Sequence, residues 1–292
     1  MHVDTIINSN RSIIVLNGEQ PDKRLLTLIN TKVPIIAADG AAHRLSGYGL
    51  TPTFIVGDGD SYTNPEKAPL RQPAWFDTLA ARPECAQSAC IEGPACFDRA
   101  QHKTFDGYLQ SKHPGLSLSK AHHERAAENP YPEATVIRIA DQNSTDFEKC
   151  MDFAERSNFL PCLILGINGG EIDHIVGNIQ MLTRHAQGQN FYFLDTYPKI
   201  SAPGIGLKLG LPLSKQTLTL QLKPECTISF MSFHEAIVQT QGLEWELHKQ
   251  LLTLDGILSL RNRSKNNMVS FTLKSGKALA VIDITDLVQL VV

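Results

Sequence analysis

The stretch Phe54-Ile55-Val56-Gly57-Asp58-Gly59-Asp60-Ser61 is the most informative part of the chain, because it joins a short apolar run directly to two carboxylates. An apolar run of this length that ends in glycine predicts a buried strand of a parallel sheet. In open α/β sheets, ligands bind outside the carboxyl ends of the strands, where these two aspartates would lie. The stretch therefore predicts an α/β fold and also the edge of the sheet that carries its chemistry.

Other apolar runs follow the same pattern before and after this stretch. They cover residues 13–16, 35–38, 136–140 and 163–165, and each is followed by a turn residue. Helical patterns lie between them: one helix begins at Ser144 or Thr145, and another begins near Ile172 or Asp173. We therefore predict an N-terminal α/β domain built on a parallel sheet.

The pattern changes after about Gly206 to alternating segments separated by turns, which predicts an antiparallel β-sandwich. The predicted strands cover residues 217–222, 227–230, 236–240, 257–260, 269–273 and 278–282. The boundary falls near residues 200–214, so residues 1–205 form the α/β domain and residues 206–292 the sandwich. Within the first domain, residues 62–134 hold eight of the 16 prolines and are predicted to be a long insertion.

Composition restricts the classes of function. The 292 residues are 42% hydrophobic and 20% charged with a formal net charge of −3, which is typical of a globular chain and not of a disordered or fibrous one. This balance gives no general attraction to nucleic acid or to an anionic membrane. No apolar run is long enough to span a bilayer and no secretory signal is recognisable, so we expect a cytoplasmic protein that binds a small polar ligand.

The six cysteines are predicted to be reduced thiols. Cys85, Cys90 and Cys96, with His102 beyond them, have a loose resemblance to a zinc site, but they lack a paired C-x-x-C spacing. Incidental thiols are the favoured interpretation.

Three segments with acidic residues are predicted at strand ends: residues 57–61, residues 141–146 and residues 169–174. Carboxylates that gather at one edge of a sheet repel one another unless a hard cation neutralises them, and Mg²⁺ accepts a few carboxylates together with substrate phosphates. The segments therefore favour a metal-assisted phosphate reaction. A turn or a helix cap is the ordinary role of any single aspartate at such a place. Three acidic clusters that coincide with three predicted strand ends weaken that interpretation.

Five motifs in order resemble the thiamine pyrophosphokinase family. They are Asn17-Gly18-Glu19, Ala38-Asp39-Gly40-Ala41-Ala42-His43-Arg44-Leu45, Pro52 through Ser61, Asp141-Gln142 through Lys149, and Gly169-Gly170 through Asp173-His174 with Asn178. The segments Gly242 to Leu247, Ser259 to Asn262 and Val269 to Ile282 are similar to the family's β-sandwich. The resemblance covers the chain apart from about residues 62–134.

The resemblance implies transfer of pyrophosphate from ATP to the hydroxyl group of thiamine, which gives thiamine diphosphate and AMP. Asp58, Asp60 and Asp146 match the Mg²⁺ positions, and these three with Asp173 are the implied catalytic residues. The implied binding residues are Asp39, Ser61, Gln142, Thr145, His174, Ser259 and Asn262. His174 is equally compatible with a capping or packing role, and an acid near the hydroxyl would accept its proton.

Members of the family are generally homodimers, and their substrate pocket lies between the α/β domain of one subunit and the sandwich of the other. The resemblance therefore makes the sandwich the thiamine-binding and dimerisation domain, where Ser259 and Asn262 would contact the vitamin. We expect Trp245 in the sandwich core. Arg44 could reach phosphate, but on a helix after a glycine turn a solvated arginine is at least an equal interpretation. Lys149 could also reach phosphate across a helix turn. Both residues are left out of the predicted site.

The chain departs from the family at Ala41 to His43, at Arg261, and after Asn262, where Arg263-Ser264-Lys265 stands in place of an aromatic. New cations beside a cationic thiazolium are unfavourable. Two alternatives therefore stay open: a pyrophosphokinase for another heterocyclic alcohol such as a hydroxymethylpterin, and a sensor of nucleotide or thiamine diphosphate without turnover. Residues 62–134 would begin and end at the mouth of the site. They would either close over it as a lid or pack on the outside of the domain.

Overall fold

A computed structural model describes residues 1–19, 22–45, 48–58, 134–139, 141, 143–168, 171–185, 190–198 and 205–287. Short 3₁₀ turns cover Lys23–Leu28 and Asp39–Ala41. None of the helices in these ranges is long and apolar enough to span a membrane.

The helices are α1 (Val3–Ile7), α2 (Ala42–Leu45), α3 (Asp146–Arg156) and α4 (Ile172–His185). The strands are β1 (Ser12–Val15), β2 (Ile35–Ala38), β3 (Phe54–Gly57), β4 (Thr135–Arg138), β5 (Cys162–Leu165), β6 (Phe191–Pro198), β7 (Ile205–Pro212), β8 (Leu218–Gln221), β9 (Thr227–Met231), β10 (Ala236–Gln241), β11 (Gln250–Leu252), β12 (Ser259–Arg263), β13 (Met268–Ser275) and β14 (Leu279–Asp283).

The N-terminal unit is the predicted parallel sheet. Strands β4, β3, β2, β1, β5 and β6 lie side by side and all run parallel. Every residue of β1, β2 and β5 is buried, as expected for strands covered on both faces. Helix α3 packs on β1, β2 and β3, and its Phe153 lies edge-on to Phe54 with ring centres 4.9 Å apart. The α/β fold class is confirmed.

Helix α3 begins where the sequence indicates. The Thr145 side chain accepts a hydrogen bond of 3.2 Å from the backbone N–H of Glu148, so Thr145 is the N-cap. Asp146 and Glu148 follow in the first turn, where carboxylates are stabilised by the helix dipole. The cap thus fixes the position of Asp146 at the end of the sheet that β3 and β4 form.

Strands β6 and β7 were not predicted from the sequence, and they join the two halves of the molecule. Strand β6 pairs with β5 in parallel and with β7 in antiparallel orientation. The large sheet therefore continues without a break in the order β12-β9-β14-β7-β6-β5-β1-β2-β3-β4. The predicted boundary between residues 205 and 206 falls at the start of β7, so one sheet crosses it.

The C-terminal half is a sandwich, as predicted. A second antiparallel sheet has the order β11-β10-β13-β8 and faces the β12-β9-β14-β7 end of the large sheet. Between the layers, the buried rings of Phe230 and Phe271 meet with centres 5.6 Å apart. The strand predicted at residues 257–260 begins later, as β12, and Ile257 is exposed in the preceding turn. Strand β11 was not predicted.

Several predictions lie outside the described residues. The insertion at residues 62–134 overlaps the range 59–133, which the structure does not describe, and Cys85, Cys90, Cys96 and His102 belong to the same range. Cys150, Cys162 and Cys226 are described and carry free thiols. Burial raises the pKa of Cys162 to about 12, so this thiol is protonated and inert.

The junction between β6 and β7 depends on two glycines. Gly210 lies opposite Phe193, and a Cβ built on Gly210 would be 1.8 Å from the Phe193 ring. Gly206 lies opposite Tyr197, and a Cβ there would be 2.2 Å from the Tyr197 ring. Each glycine therefore leaves the space that an aromatic ring of β6 fills.

We expect Gly210→Ala to lower the free energy of unfolding by about 2 kcal/mol or more, because a methyl group cannot fit without displacing the Phe193 ring. Gly177→Ala in helix α4 is the matched control, since nothing lies within 4 Å of a Cβ at Gly177. This control should be neutral or stabilising by up to about 1 kcal/mol. Urea unfolding of both variants measures the difference, and equal stabilities would contradict the packing described for the junction.

Candidate active site at the strand ends

Three carboxylates come together around Gly57 at the end of β3. A Cβ built on Gly57 would lie 2.5 Å from the Asp39 Cβ and 3.2 Å from Asp146 Oδ1, so only glycine allows this close approach. Asp39 follows β2, Asp58 follows β3 and Asp146 opens α3. The parallel sheet thereby gathers side chains that are far apart in the sequence, as the pattern of strand ends predicts.

The carboxylates differ in exposure. Asp39 is almost fully buried, with 1% of its surface exposed, whereas the side chains of Asp58 and Asp146 are 16% and 31% exposed. Asp58 and Asp146 are therefore the two that a ligand can reach. The turn that carries Asp58 is held by Arg138, whose Nε donates a bond of 2.6 Å to the Asp58 carbonyl oxygen.

Lys149 belongs to this cluster, although it is not among the site residues predicted from the sequence. Its Nζ donates a hydrogen bond of 3.1 Å to Asp146 Oδ1 and lies 3.8 Å from Asp58 Oδ2. The lysine side chain is only 3% exposed. A signal was present in the sequence, because residues three apart on a helix share a face, and Asp146 and Lys149 are three apart.

The end of β5 lies apart from these carboxylates. Asp173 and His174 are exposed in the first turn of α4, and Asp173 Oδ1 accepts a bond of 2.9 Å from the His174 backbone N–H. Strand β1 separates β5 from β2, and a spacing of about 4.8 Å per strand puts the ends of β5 and β2 roughly 10 Å apart. This separation suits opposite ends of a polyphosphate better than a single metal ion.

A second group of loops meets at the ends of β1, β5 and β6. The Glu19 N–H donates to the Asn168 carbonyl oxygen at 2.6 Å, and Arg44 donates to the Gly18 carbonyl oxygen at 2.8 Å. A Cβ on Gly18 would lie 2.2 Å from the carbonyl oxygens of both Asn168 and Gly166. The segment Asn17-Gly18-Glu19 therefore packs backbone against backbone, and Arg44 contributes to that contact.

Asp195 on β6 is buried beneath these loops, with 6% of its surface exposed. Its carboxylate accepts backbone N–H bonds from Thr196 at 2.8 Å and from Asn168 at 3.1 Å. Burial is the main reason that the pKa of Asp195 rises to about 7; the charge of Glu19 raises it further, and the two N–H bonds lower it. Sequence reasoning missed Asp195 because it lies inside a strand that was not predicted.

The residues of the implied vitamin site lie on β12. Asn262 is buried, and its side chain bonds to the protein at both ends: Nδ2 donates to the Trp245 carbonyl oxygen at 2.6 Å and to Ser259 Oγ at 3.3 Å. Its Oδ1 accepts the backbone N–H groups of Trp245 at 3.2 Å and Arg263 at 2.8 Å. Asn262 thus holds the turn that carries Trp245.

The prediction that Trp245 lies in the sandwich core is wrong, because the residue is 54% exposed. Its backbone is held in the turn by Asn262, and this turn directs the indole outwards. An aromatic residue in a strand-rich region usually packs inside, but the alternation of a strand does not apply to a residue in a turn.

Ser259 and Asn262 are far from the carboxylates of the same chain. Seven strands lie between β12 and β3 in the large sheet, which corresponds to roughly 35–40 Å along the sheet. One subunit therefore does not bring the two groups of predicted residues together.

Three predicted site residues, Asp60, Ser61 and Gln142, lie outside the described residues. Within the described part, no three His, Cys, Asp or Glu side chains come close enough to hold a metal ion by themselves. The reachable donors are the carboxylates of Asp58 and Asp146, and Mg²⁺ is commonly held by one or two carboxylates together with substrate phosphates. This donor set fits Mg²⁺ when a nucleotide supplies the other oxygens.

A parallel sheet with carboxylates at its strand ends, continued into an antiparallel sandwich, defines a two-part α/β class of protein. Two family models match it: "Thiamin pyrophosphokinase, catalytic domain" at residues 117–193 and "Thiamin pyrophosphokinase, vitamin B1 binding domain" at residues 215–278. The chain therefore resembles the thiamin pyrophosphokinase family in both halves, and the two matches together cover 141 of its 292 residues. The motifs before residue 117 lie outside the matched ranges.

Relatives with curated names agree with this assignment. The chain is 29% identical to thiamine pyrophosphokinase 1 of rice over 144 residues, which are 45% of this chain and 50% of the relative. It is 25% identical to thiamine pyrophosphokinase 2 of Arabidopsis thaliana over 141 residues, 44% of this chain and 49% of the relative. The chain thus spans about half the length of the curated relatives it matches.

Solved structures show the same fold over nearly the whole chain. Yeast thiamin pyrophosphokinase superposes with a TM-score of 0.57 at 18% identity, covering 98% of this chain and 91% of the other. Thiamine pyrophosphokinase from Bacillus subtilis superposes with a TM-score of 0.55 at 17% identity, covering 93% of this chain and 98% of the other.

The buried Asp195 predicts a pH dependence of stability. Its folded pKa of about 7 exceeds the ordinary value of 3.8, so the folded chain holds a proton that the unfolded chain has released. The contribution of this proton to the free energy of unfolding is complete below about pH 4 and is lost as the pH rises through 7. The free energy of unfolding then falls by at most about 1.4 kcal/mol per pH unit.

We therefore expect Asp195→Asn to reduce the loss of stability between about pH 5 and pH 8, measured by urea unfolding at both values. Asp152→Asn, which removes an exposed carboxylate on α3, is the control and should keep the wild-type dependence. An Asp195→Asn variant with an unchanged pH dependence would show that this carboxyl group is not protonated in the folded chain.

Proposed function

We propose that the chain transfers pyrophosphate from ATP to the hydroxyl group of thiamine, forming thiamine diphosphate and AMP. The observation that carries the proposal is the gathering of Asp39, Asp58 and Asp146 around Gly57 at the carboxyl ends of the strands. The matches to the two thiamin pyrophosphokinase models and the names of the relatives support the same reaction. Neither a pterin-type acceptor nor a sensor without turnover gains support from these comparisons.

The chemistry requires alignment and charge neutralisation. The acceptor oxygen attacks the β-phosphorus of ATP and AMP departs, so negative charge must be balanced where the phosphates lie. Asp58 and Asp146, with Asp60 as predicted from the sequence, would hold Mg²⁺, which neutralises phosphate charge when bound. Thr145 keeps Asp146 in position through the helix cap, and Arg138 holds the backbone at Asp58.

The acceptor side of the site would be the surface around Trp245. The indole is an exposed aromatic face on a turn that Asn262 holds rigidly, and such faces attract cationic heterocycles. Arg263, one of the cations that make this surface unusual, forms an ion pair of 3.1 Å with Glu225. This pairing weakens the repulsion that Arg263 would exert on a thiazolium.

A homodimer with composite sites accounts for the separation between β12 and β3. One subunit would supply the carboxylates and its partner would supply Trp245 and Ser259, since roughly 35–40 Å separate these groups within one sheet. Symmetric pairing would then form the site twice. A cytoplasmic location stays the prediction made from the sequence.

The first test removes one charge from the cluster. Asp146→Asn should lower the rate of AMP formation from ATP, Mg²⁺ and thiamine by at least about a hundredfold, because the neutral amide cannot offset the charge of a cation bound to the phosphates. Asp152→Asn on the same helix is the control, since it removes an exposed carboxylate on α3. Circular dichroism checks that both variants fold.

The same assay separates the candidate functions. A folded Asp146→Asn variant with most of the wild-type rate would exclude the carboxylate cluster from catalysis. AMP formed with a pterin alcohol and not with thiamine would identify the other acceptor class. A wild-type protein that forms no AMP with either acceptor, yet binds nucleotide, would favour a sensor.

The second test concerns the composite site. Asp146→Asn and Trp245→Ala protomers should each be inactive alone, whereas random exchange between equal amounts should restore about a quarter of the wild-type rate. Half of the dimers would be mixed, and each mixed dimer has one intact site. A site built within one chain gives no recovery after exchange, and a monomer in sedimentation also contradicts the proposal.

A further inference from the structure

Lys149 is unusual because a lysine is rarely buried. Among the described residues it is the only lysine or arginine with so little exposed surface, 4% of the whole residue. Burying an ammonium group is costly unless partners replace its hydration, and Asp146 and Asp58 do so at 3.1 Å and 3.8 Å. The position is therefore specified by the site and not by packing alone.

The geometry also determines what Lys149 can touch. Its side chain is 3% exposed, whereas those of Asp58 and Asp146 are 16% and 31% exposed, so the ammonium lies on the protein side of the two carboxylates. A substrate that approaches from solvent meets the carboxylates first. Lys149 therefore acts through Asp58 and Asp146 and not on the reacting atoms.

We infer that Lys149 is a positioning residue, a built-in counter-cation that sets the spacing of the Asp58 and Asp146 carboxylates and limits how strongly they bind a free divalent cation. This inference rests on the proposed function, and it deepens the account of the same site. The positive charge of Lys149 beside the Asp58 and Asp146 carboxylates reduces the net negative charge that faces the ligand. The site then favours a cation that arrives together with nucleotide phosphates over the cation alone.

The inference has a consequence that a purely structural lysine lacks. Lys149→Met keeps the length and apolar character of the stem and removes the charge, so the two carboxylates lose the compensation that the ammonium group provides. We expect free Mn²⁺, measured by electron paramagnetic resonance without nucleotide, to bind at least about tenfold more tightly than to the wild type. Asp58→Asn should weaken the same binding.

Turnover should change in the opposite direction. We expect kcat of Lys149→Met to fall at least about tenfold, because the carboxylates lose the contact that fixes their spacing, while KM for thiamine changes less than about twofold. Arg156→Met is the matched control: it removes an exposed cation from the same helix, paired with Asp152 at 3.1 Å, and should leave kcat and Mn²⁺ binding unchanged.

Lys149→Arg covers the case in which the methionine variant does not fold. It retains the charge but changes its shape, so Mn²⁺ affinity should stay within about threefold of the wild type while kcat falls. Unchanged Mn²⁺ affinity in a folded Lys149→Met variant overturns the inference, and so does a wild-type kcat in Lys149→Arg. A wild-type protein that forms no AMP refutes the proposed function, whereas the Mn²⁺ measurements still decide the role of Lys149.

Discussion

The antiparallel pairing of β6 with β7 is the constraint on which the rest of the molecule depends. It turns a parallel sheet and a sandwich into parts of one sheet, so the two halves share backbone hydrogen bonds as well as side-chain contacts. Gly206 and Gly210 make the pairing possible because aromatic rings of β6 lie directly over them. The same continuity fixes a large distance between the carboxylate cluster at β3 and the Trp245 turn near β12.

Most of the fold could be predicted because its strands have clear local sequence patterns. Strands β1, β2 and β5 are short, mostly apolar and buried, and each is followed closely by a turn residue. Strand β6 was not predicted because it mixes apolar and polar residues, among them the buried Asp195. Neither β6 nor its partner β7 has an unambiguous period on its own, and their pairing is a tertiary contact that no local pattern reveals.

The candidate site was predictable where backbone geometry dictates it. Glycine at 57 and a capping threonine at 145 are local signals, and they correctly placed Asp58 and Asp146 at neighbouring strand ends. The prediction for Trp245 was wrong, and Lys149 was left out of the predicted site, because the general tendencies of these residue types differ from what their surroundings impose. Lysine on a helix is usually solvated and tryptophan is usually buried, but here two carboxylates draw the lysine inwards and a turn held by Asn262 directs the indole outwards.

Described ion pairs place opposite charges together in both halves of the molecule. Lys149 offsets Asp58 and Asp146 in the parallel unit, and Glu225 offsets Arg263 in the sandwich. The buried ammonium of Lys149 is thus compensated without a ligand, whereas the pair of Arg263 and Glu225 is exposed to solvent. In the proposed function, the free energy of binding would come from groups that remain accessible after folding: the carboxylates of the two aspartates for phosphate-bound cations, and the indole of Trp245 for a flat cationic ring. One sheet holds these two surfaces far apart, so in the proposed function a ligand that uses both would be enclosed by two chains.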